Sequence, residues 1–318
     1  MKIRCLTPNF KYGTGGNLVT SQRWRKLLKD MGHDFQVTSD PTPKACDLLI
    51  ALHARKNAAG IKRMAKQFPH VPIVVVLTGT DLYRDIVGNQ AAQNSLELAT
   101  RLVVLQPFGI HAVPDIYQKK TVTILQSAKP PAAFREPLKH NFEVTVVGNL
   151  RTVKDPFRTA MASRLLPDTS RIVVTHIGAA LTPSMNTRAN REELINRRYT
   201  WRGSLTRHLT LKAIARSRLL VVSSKMEGGA NVISEAIVAG TPVLSTHISG
   251  SLGMLGKDYP GYFPIADTVA LAELLLQAET DTTFYKQLRD HCLKRAKMFH
   301  PDKERKSLKQ LLAGLGLT

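Results

Sequence analysis

Two glutamates, Glu227 and Glu235, bracket the run Glu227-Gly228-Gly229-Ala230-Asn231-Val232-Ile233-Ser234-Glu235. The apolar stretch Leu219 to Val222 ahead of them reads as a buried parallel strand, and Asn231 to Ala239 has helical character that Gly240 and Pro242 stop. A strand, a glycine-rich turn and a helix in that order leave backbone N–H groups and the positive end of a helix dipole at the carboxyl edge of a sheet, where a phosphate can be held. Carboxylates on either side of the turn can accept hydrogen bonds from sugar hydroxyls while the amides between them hold a diphosphate. Glycine-rich turns also occur in α/β proteins that bind no phosphate. The whole block, closed by Ala239-Gly240-Thr241-Pro242-Val243, therefore carries the reading rather than the glycines alone.

A second turn of this kind, Gly148-Asn149-Leu150-Arg151-Thr152-Val153-Lys154-Asp155-Pro156, follows the apolar run Val144 to Val147. Its glycine lets the backbone pass close to a ligand, and Arg151 and Lys154 can converge on one anion before a helix that starts near Pro156. A solvated basic loop is the plainer alternative. In the first half, Leu52-His53-Ala54-Arg55-Lys56 lies at a strand end and Arg23 follows Gly15-Gly16-Asn17. Together these cations can form an anion pocket, although a lone histidine at a strand end is more often structural.

Sheets must present these turns. Ile3 to Leu6, Phe35 to Val37, Leu48 to Leu52, Ile73 to Leu77, Leu102 to Leu105 and Val122 to Leu125 read as strands. Helices are expected between them through Trp24, Leu27, Leu28 and Met31, through Ile61, Met64, Ala65 and Phe68, and over Gln90 to Ala99. Thr7 to Asn17, with Gly13, Gly15 and Gly16, is a loop. A second series runs through Val144 to Val147, Ile172 to Ile177, Tyr199 to Trp201, Leu219 to Val222 and Val243 to Ser245. Alternation of this kind means a parallel sheet with helices on both faces, and two such halves predict a cleft between them. The Pro-rich stretch Ser127 to Pro137 lacks periodicity and reads as a linker, giving domains at 1–130 and 138–299. Helical spacing through Tyr285, Leu288, Cys292 and Ala296 breaks at Pro301 and resumes to Leu315.

At 318 residues and 43% hydrophobic content, the chain is long enough for two domains of ordinary size. No apolar run approaches the ~18 to 20 residues that span a bilayer. The opening Met1-Lys2-Ile3-Arg4-Cys5-Leu6 is too short an apolar run for a signal peptide. Three cysteines, Cys5, Cys46 and Cys292, are far apart and odd in number. They point to a reducing cytoplasm and form no metal pattern, so neither metal nor cofactor is expected. A net charge of +21 favours anionic partners. The basic residues are spread along the chain without an aromatic-interleaved motif, which argues against specific nucleic-acid binding.

The block from Ser223 to Leu244 resembles the nucleotide-sugar signature of retaining glycosyltransferases of family 4, whose GT-B fold sets two Rossmann-like, doubly wound α/β domains face to face. The resemblance implies that Glu227 contacts the transferred sugar, Glu235 the ribose hydroxyls, and the amides of Asn231 and Val232 the distal phosphate. The family places an arginine one residue after the strand-end glycine and a lysine five beyond it, both on the donor diphosphate. Lys154 matches the lysine, whereas Asn149 stands at the arginine position and Arg151 must reach from two residues on. Trp201-Arg202-Gly203-Ser204-Leu205 falls where the family holds the base through main-chain contacts, and the tail 300–318 is expected to pack back on the first domain. Members commonly carry a histidine after the fourth strand; here Thr78 stands there. A threonine cannot act as general base near pH 7, and an acceptor already ionised needs none.

The likeness narrows with Gly16-Asn17 and Arg23-Trp24, Ala51 to Arg55, Leu77 to Asp85, Leu150 to Arg158, Met226 to Asn231, and Asp258-Tyr259-Pro260-Gly261-Tyr262-Phe263-Pro264. Together they are similar to the selenosugar synthases of selenoneine biosynthesis over almost the whole chain. That resemblance implies coupling of selenophosphate to the sugar of UDP-N-acetylglucosamine or UDP-glucose, with other selenoneine-pathway enzymes as functional partners. It puts Gly15, Gly16, Asn17, Arg23, His53, Arg55, Thr78, Gly79 and Asp81 on the acceptor side. The residues by themselves stop at a two-domain nucleotide-sugar transferase with a basic acceptor side. An ordinary family 4 transferase acting on a glycan or lipid head group is the alternative; the missing histidine and the lack of an amphipathic membrane-binding helix count against it. A non-enzymatic binder of anionic polymer rests on net charge alone.

Overall fold

A computed structural model describes residues 1–8, 15–130 and 140–317. Most of the expected linker and the loop around Gly13 lie outside the described residues. The chain forms two compact units, one of Met1–Ser127, Glu227–Asn231 and Pro301–Thr318, the other of Ala128–Met226 and Val232–His300.

In the first unit, six strands form one sheet: β1 (Lys2–Leu6), β2 (Asp34–Thr38), β3 (Leu48–Leu52), β4 (Ile73–Leu77), β5 (Arg101–Val104) and β6 (Thr121–Thr123). They lie in the order β2-β1-β3-β4-β5-β6, all parallel. β3 and β4 read LLIAL and IVVVL and are buried along their whole length, as strands covered on both faces must be. Trp24, Leu27 and Leu28 of the helix Gly16–Lys29 pack on one face with Phe35 and with Leu308, Leu311 and Leu312 of the C-terminal helix Pro301–Ala313. Ile61 and Met64 of the helix Ala58–Gln67 and Ala92 and Leu96 of the helix Gln90–Leu98 cover the other. The first two helices end at Lys29 and Gln67, two residues short of Met31 and one short of Phe68 in the expected apolar period.

The second unit holds β7 (Phe142–Val147), β8 (Ile172–Ile177), β9 (Tyr199–Trp201), β10 (Leu219–Val222), β11 (Val243–Thr246) and β12 (Tyr262–Phe263). Their order is β12-β11-β10-β7-β8-β9, again all parallel. The chain begins in the middle of this sheet, builds outward to β9, then returns to the far side of β7. The loops leaving β7 and β10 therefore head to opposite faces and open a crevice at their carboxyl ends, the position where doubly wound sheets take ligands. β12, two residues long, is too short to show alternation and was not expected. The expected α/β class of two doubly wound, Rossmann-like halves is the one found. Among the described residues, no helix is long and apolar enough to cross a membrane.

Candidate active site

The turn after β7 is built against the turn after β8. Gly148 N–H donates to Ile177 O (2.9 Å) and Leu150 N–H to Ala179 O (2.9 Å). Asn149, standing where an arginine was expected, accepts from Ala179 N–H at 3.1 Å through Oδ1. A β carbon at Gly178 would overlap the Gly148 carbonyl, so only glycine allows this approach. Below the turn lies His176 of β8, a residue the sequence did not single out. It is 1% exposed, with Nε2 3.2 Å from Gly148 O and Nδ1 3.0 Å from the Tyr199 hydroxyl. A carbonyl can only accept, so Nε2 carries the proton and Nδ1 accepts from Tyr199. Burial pushes the His176 pKa from 6.5 down to about 4, which keeps the ring neutral at physiological pH.

Beyond Gly148 the chain makes a short turn over Thr152–Lys154, and Asp155 takes a left-handed conformation (φ 44°). Lys154 is half-buried; its Cδ lies 3.8 Å from the place a β carbon on Gly148 would take, while Arg151 is exposed. The residues after β10 close on the same turn: Lys225 N–H donates to Val153 O (2.9 Å) and Ser223 Oγ to Asp155 O (2.9 Å). Gly148, Asn149, Arg151 and Lys154 thus share the strand-order reversal of the second unit with Ser223 and Lys225 at the end of β10. Val232 and Glu235 sit on the helix Asn231–Ala239. Glu235 is 5% exposed, and its Oε1 is buried without an aligned hydrogen-bond donor. Nη1 of Arg207, the first residue of the helix Arg207–Arg216, lies 2.8 Å from that oxygen. Arg202, exposed just after β9, donates its N–H to His176 O at 2.8 Å, and Gly203 O accepts from Gly178 N–H at 2.8 Å.

Glu227–Asn231 belongs to the first unit, and packing gives its glycines a task the phosphate reading did not foresee. A β carbon at Gly228 would come within 2.5 Å of Thr78 C and 2.7 Å of Gly79 N; one at Gly229 would come within 2.7 Å of Leu105 Cβ. Gly229 O accepts from Gln126 Nε2 at 2.7 Å. Glu227 and Ala230 are buried here.

The residues expected on the acceptor side fall into two groups. At the ends of β3 and β4, Asp81 is fully buried and its carboxylate is engaged by backbone: Oδ1 accepts from Thr78 N–H and Gly79 N–H at 2.9 Å each, and Oδ2 from Ala54 N–H at 2.9 Å. Asp81 therefore shapes these turns rather than facing an acceptor. His53, in the left-handed region at φ 83°, is 3.1 Å from Thr80 Oγ1 through Nε2; burial pulls its pKa below 6.5 against the opposing pull of Asp81 and Asp85. Arg55 is paired with Asp85 at 2.8 Å but keeps 42% of its side chain exposed. In the second group, Gly15 (φ 122°), Gly16 and Asn17 open the helix Gly16–Lys29. Arg23 is held within the first unit: its Nε donates to Glu304 (2.8 Å), Nη1 to Asn231 Oδ1 (2.7 Å) and Nη2 to Gln126 Oε1 (2.7 Å), which takes three of its five N–H groups. Among the described residues, no group of three or more His, Cys, Asp and Glu side chains could hold a metal ion.

Solved structures share this architecture at low identity. Sucrose-phosphate synthase from Thermosynechococcus elongatus matches with a TM-score of 0.78 and 16% identity over 99% of this chain and 98% of its own. Anabaena HepE in complex with UDP-glucose matches at 0.76 and 15%, over 99% and 100% of the two chains. A glycosyltransferase from Rickettsia africae matches at 0.71 and 13%, over 99% and 98%. These likenesses establish the GT-B type of fold. No curated protein sequence matches at a significant level. The family model described as Glycosyl transferases group 1 covers residues 131–298, more than half of the chain, and the chain belongs to that family.

Proposed function

We propose that this protein moves the sugar of a UDP-sugar, UDP-N-acetylglucosamine or UDP-glucose, onto selenophosphate, as a selenosugar synthase of the SenB type. One observation carries the donor half. The turns after β7 and β10, tied by the Lys225–Val153 and Ser223–Asp155 hydrogen bonds, flank the strand-order reversal of the second unit. There Lys154 and Arg151 hold the diphosphate, the Val232 amide adds to it, and Glu235 takes the ribose hydroxyls. HepE, solved with UDP-glucose, supports a UDP-sugar donor. Glu227 contacts the transferred sugar and Arg202 lies beside the base.

The acceptor half rests on the sequence resemblance and on Thr78 where a basic histidine is usual in the family. Selenophosphate is anionic at neutral pH, so its selenium needs no side chain to deprotonate it. Its selenium attacks the anomeric carbon, the C1–O bond to the diphosphate breaks, and UDP leaves with the electron pair. Water then cleaves the Se–P bond, releasing phosphate and the selenosugar. Arg55, 42% exposed at the end of β3, meets the phosphate in this reading, whereas Arg23 is held by Glu304, Gln126 and Asn231. The protein works in the cytoplasm without metal or other cofactor.

Purified protein incubated with each UDP-sugar and selenophosphate, with mass detection of products, tests this reading. A selenium-containing hexose or N-acetylhexosamine and stoichiometric UDP are expected. Turnover of UDP-sugar with a glycan or lipid acceptor and none with selenophosphate would favour the ordinary family 4 alternative.

A further inference from the structure

The buried carboxylates of this protein are held in two different ways. Glu304 is bound by Arg23, by Trp24 Nε1 (2.7 Å) and by both the N–H and the hydroxyl of Ser127. Asp81 takes three backbone N–H groups, and Glu143 takes Arg216 twice, at 2.8 and 2.5 Å, and Thr175. Glu235 has none of this. Its side chain is 4% exposed, among the described residues its Oε1 has no aligned hydrogen-bond donor, and its ion partner is Arg207, whose side chain is 48% exposed.

Arg207 is itself fixed from below. Thr206 caps the helix Arg207–Arg216 through its hydroxyl, and near the other end Ile214 O accepts from Thr241 Oγ1 (2.8 Å), just past the helix that carries Glu235. The two helices are thus tied near their C-terminal ends, and the Arg207–Glu235 contact joins the start of one to the middle of the other.

We propose that Arg207 is a positioning residue for the Glu235 carboxylate: it pins Oε1 and leaves Oε2 to receive the ribose hydroxyls of the donor nucleotide. This rests on the assignment of Glu235 to the ribose. Arg207 then acts through Glu235 and touches neither base nor diphosphate. Its effect is confined to ligands that carry the hydroxyls, so it sets the preference for ribonucleotides over deoxyribonucleotides.

Calorimetry with UDP and 2′-deoxy-UDP on the full chain tests this in the parent, Arg207→Ala, Arg207→Lys and Glu235→Gln. The parent is expected to prefer UDP by about tenfold or more, one charge-assisted hydrogen bond's worth. Arg207→Ala should weaken UDP severalfold and leave 2′-deoxy-UDP within about twofold, collapsing the ratio toward that of Glu235→Gln. Arg207→Lys, which keeps the charge, should restore most of it. Equal weakening of both ligands by Arg207→Ala would overturn the proposal, as would tighter UDP binding, which would make Arg207 an occupant of the ribose site. If Glu235→Gln keeps the parent's ratio, the ribose assignment itself fails, whatever Arg207 does.

Discussion

At the scale of single residues, the donor turn gives the sharpest expectations. Lys154→Ala should weaken UDP binding by about ten- to a hundredfold, since a charge-assisted hydrogen bond contributes roughly 1.5 to 3 kcal/mol and each ~1.4 kcal/mol is a factor of ten. Calorimetry reads this directly, and unchanged affinity would move the diphosphate elsewhere. Glu227→Ala should lower turnover more than it lowers UDP affinity, because a contact to the transferred sugar is felt in the transition state. Steady-state kinetics set against UDP affinity separates the two. His176 makes a pH prediction. Its folded pKa lies below the unfolded value of 6.5, so the unfolded chain binds the proton more tightly and stability falls as pH drops from about 6.5 through 4. At ~1.4 kcal/mol per unit, the full loss reaches about 3 kcal/mol. His53, shifted in the same direction by burial, adds to it. Thermal melts of parent and His176→Gln across that range should converge at low pH. A constant gap would mean that the ring does not charge on unfolding. His176 was illegible in the sequence because a lone histidine in an apolar strand has no pattern to betray it. The places of Lys154 and Glu235 on their elements could be read, because a glycine-ended strand and a helix bounded by Gly240 fix where such side chains stand; the roles given to them toward a donor come from the family resemblance.

At the scale of elements, eleven of the twelve strands among the described residues can be read from apolar runs bounded by turn residues, and the helix Asn231–Ala239 falls where its residues and the Gly240 stop place it. What the pattern could not show is how closely the loops pack. The expected task of Gly228 and Gly229 was to free amides for a phosphate; their surroundings also require the missing side chain. Gly228→Ala would put a methyl within 2.6 Å of the Thr78 carbonyl oxygen, a clash with backbone that cannot be relieved by a rotamer change. Overpacking of this kind typically costs about 1 to 3 kcal/mol, and a drop in melting temperature is expected together with lost turnover. Gly178→Ala is the matching test in the second unit. It should displace the Gly148 carbonyl and weaken UDP while leaving the first unit's protection from hydrogen exchange intact.

At the scale of the whole molecule, the C-terminal helix completes the first core through Leu308, Leu311 and Leu312 and anchors it through Glu304. Nothing in Pro301-Asp302-Lys303-Glu304-Arg305-Lys306 marks Glu304 as a buried residue, and its burial follows only from the tertiary placement of Arg23 and Trp24. Glu304→Ala leaves Arg23 without its carboxylate and Trp24 Nε1 and the Ser127 N–H without acceptors. Removing one partner of a buried pair costs about 3 to 5 kcal/mol. Chemical denaturation should show that loss in the first unit, and limited proteolysis should release the tail.

This division of the chain also bears on how the protein is made. Domains generally fold as units in the order in which they leave the ribosome, at ~5 to 20 residues per second. Here the first unit cannot finish in its turn, because it waits for Glu227–Asn231 and finally for Pro301–Thr318, whereas the second unit holds all its residues once His300 has emerged. The amino-terminal half is therefore the last to be completed. Until the final helix arrives, Trp24, Leu28 and Phe35 lack their cover, and a stalled or prematurely terminated chain presents that apolar face to chaperones and proteases.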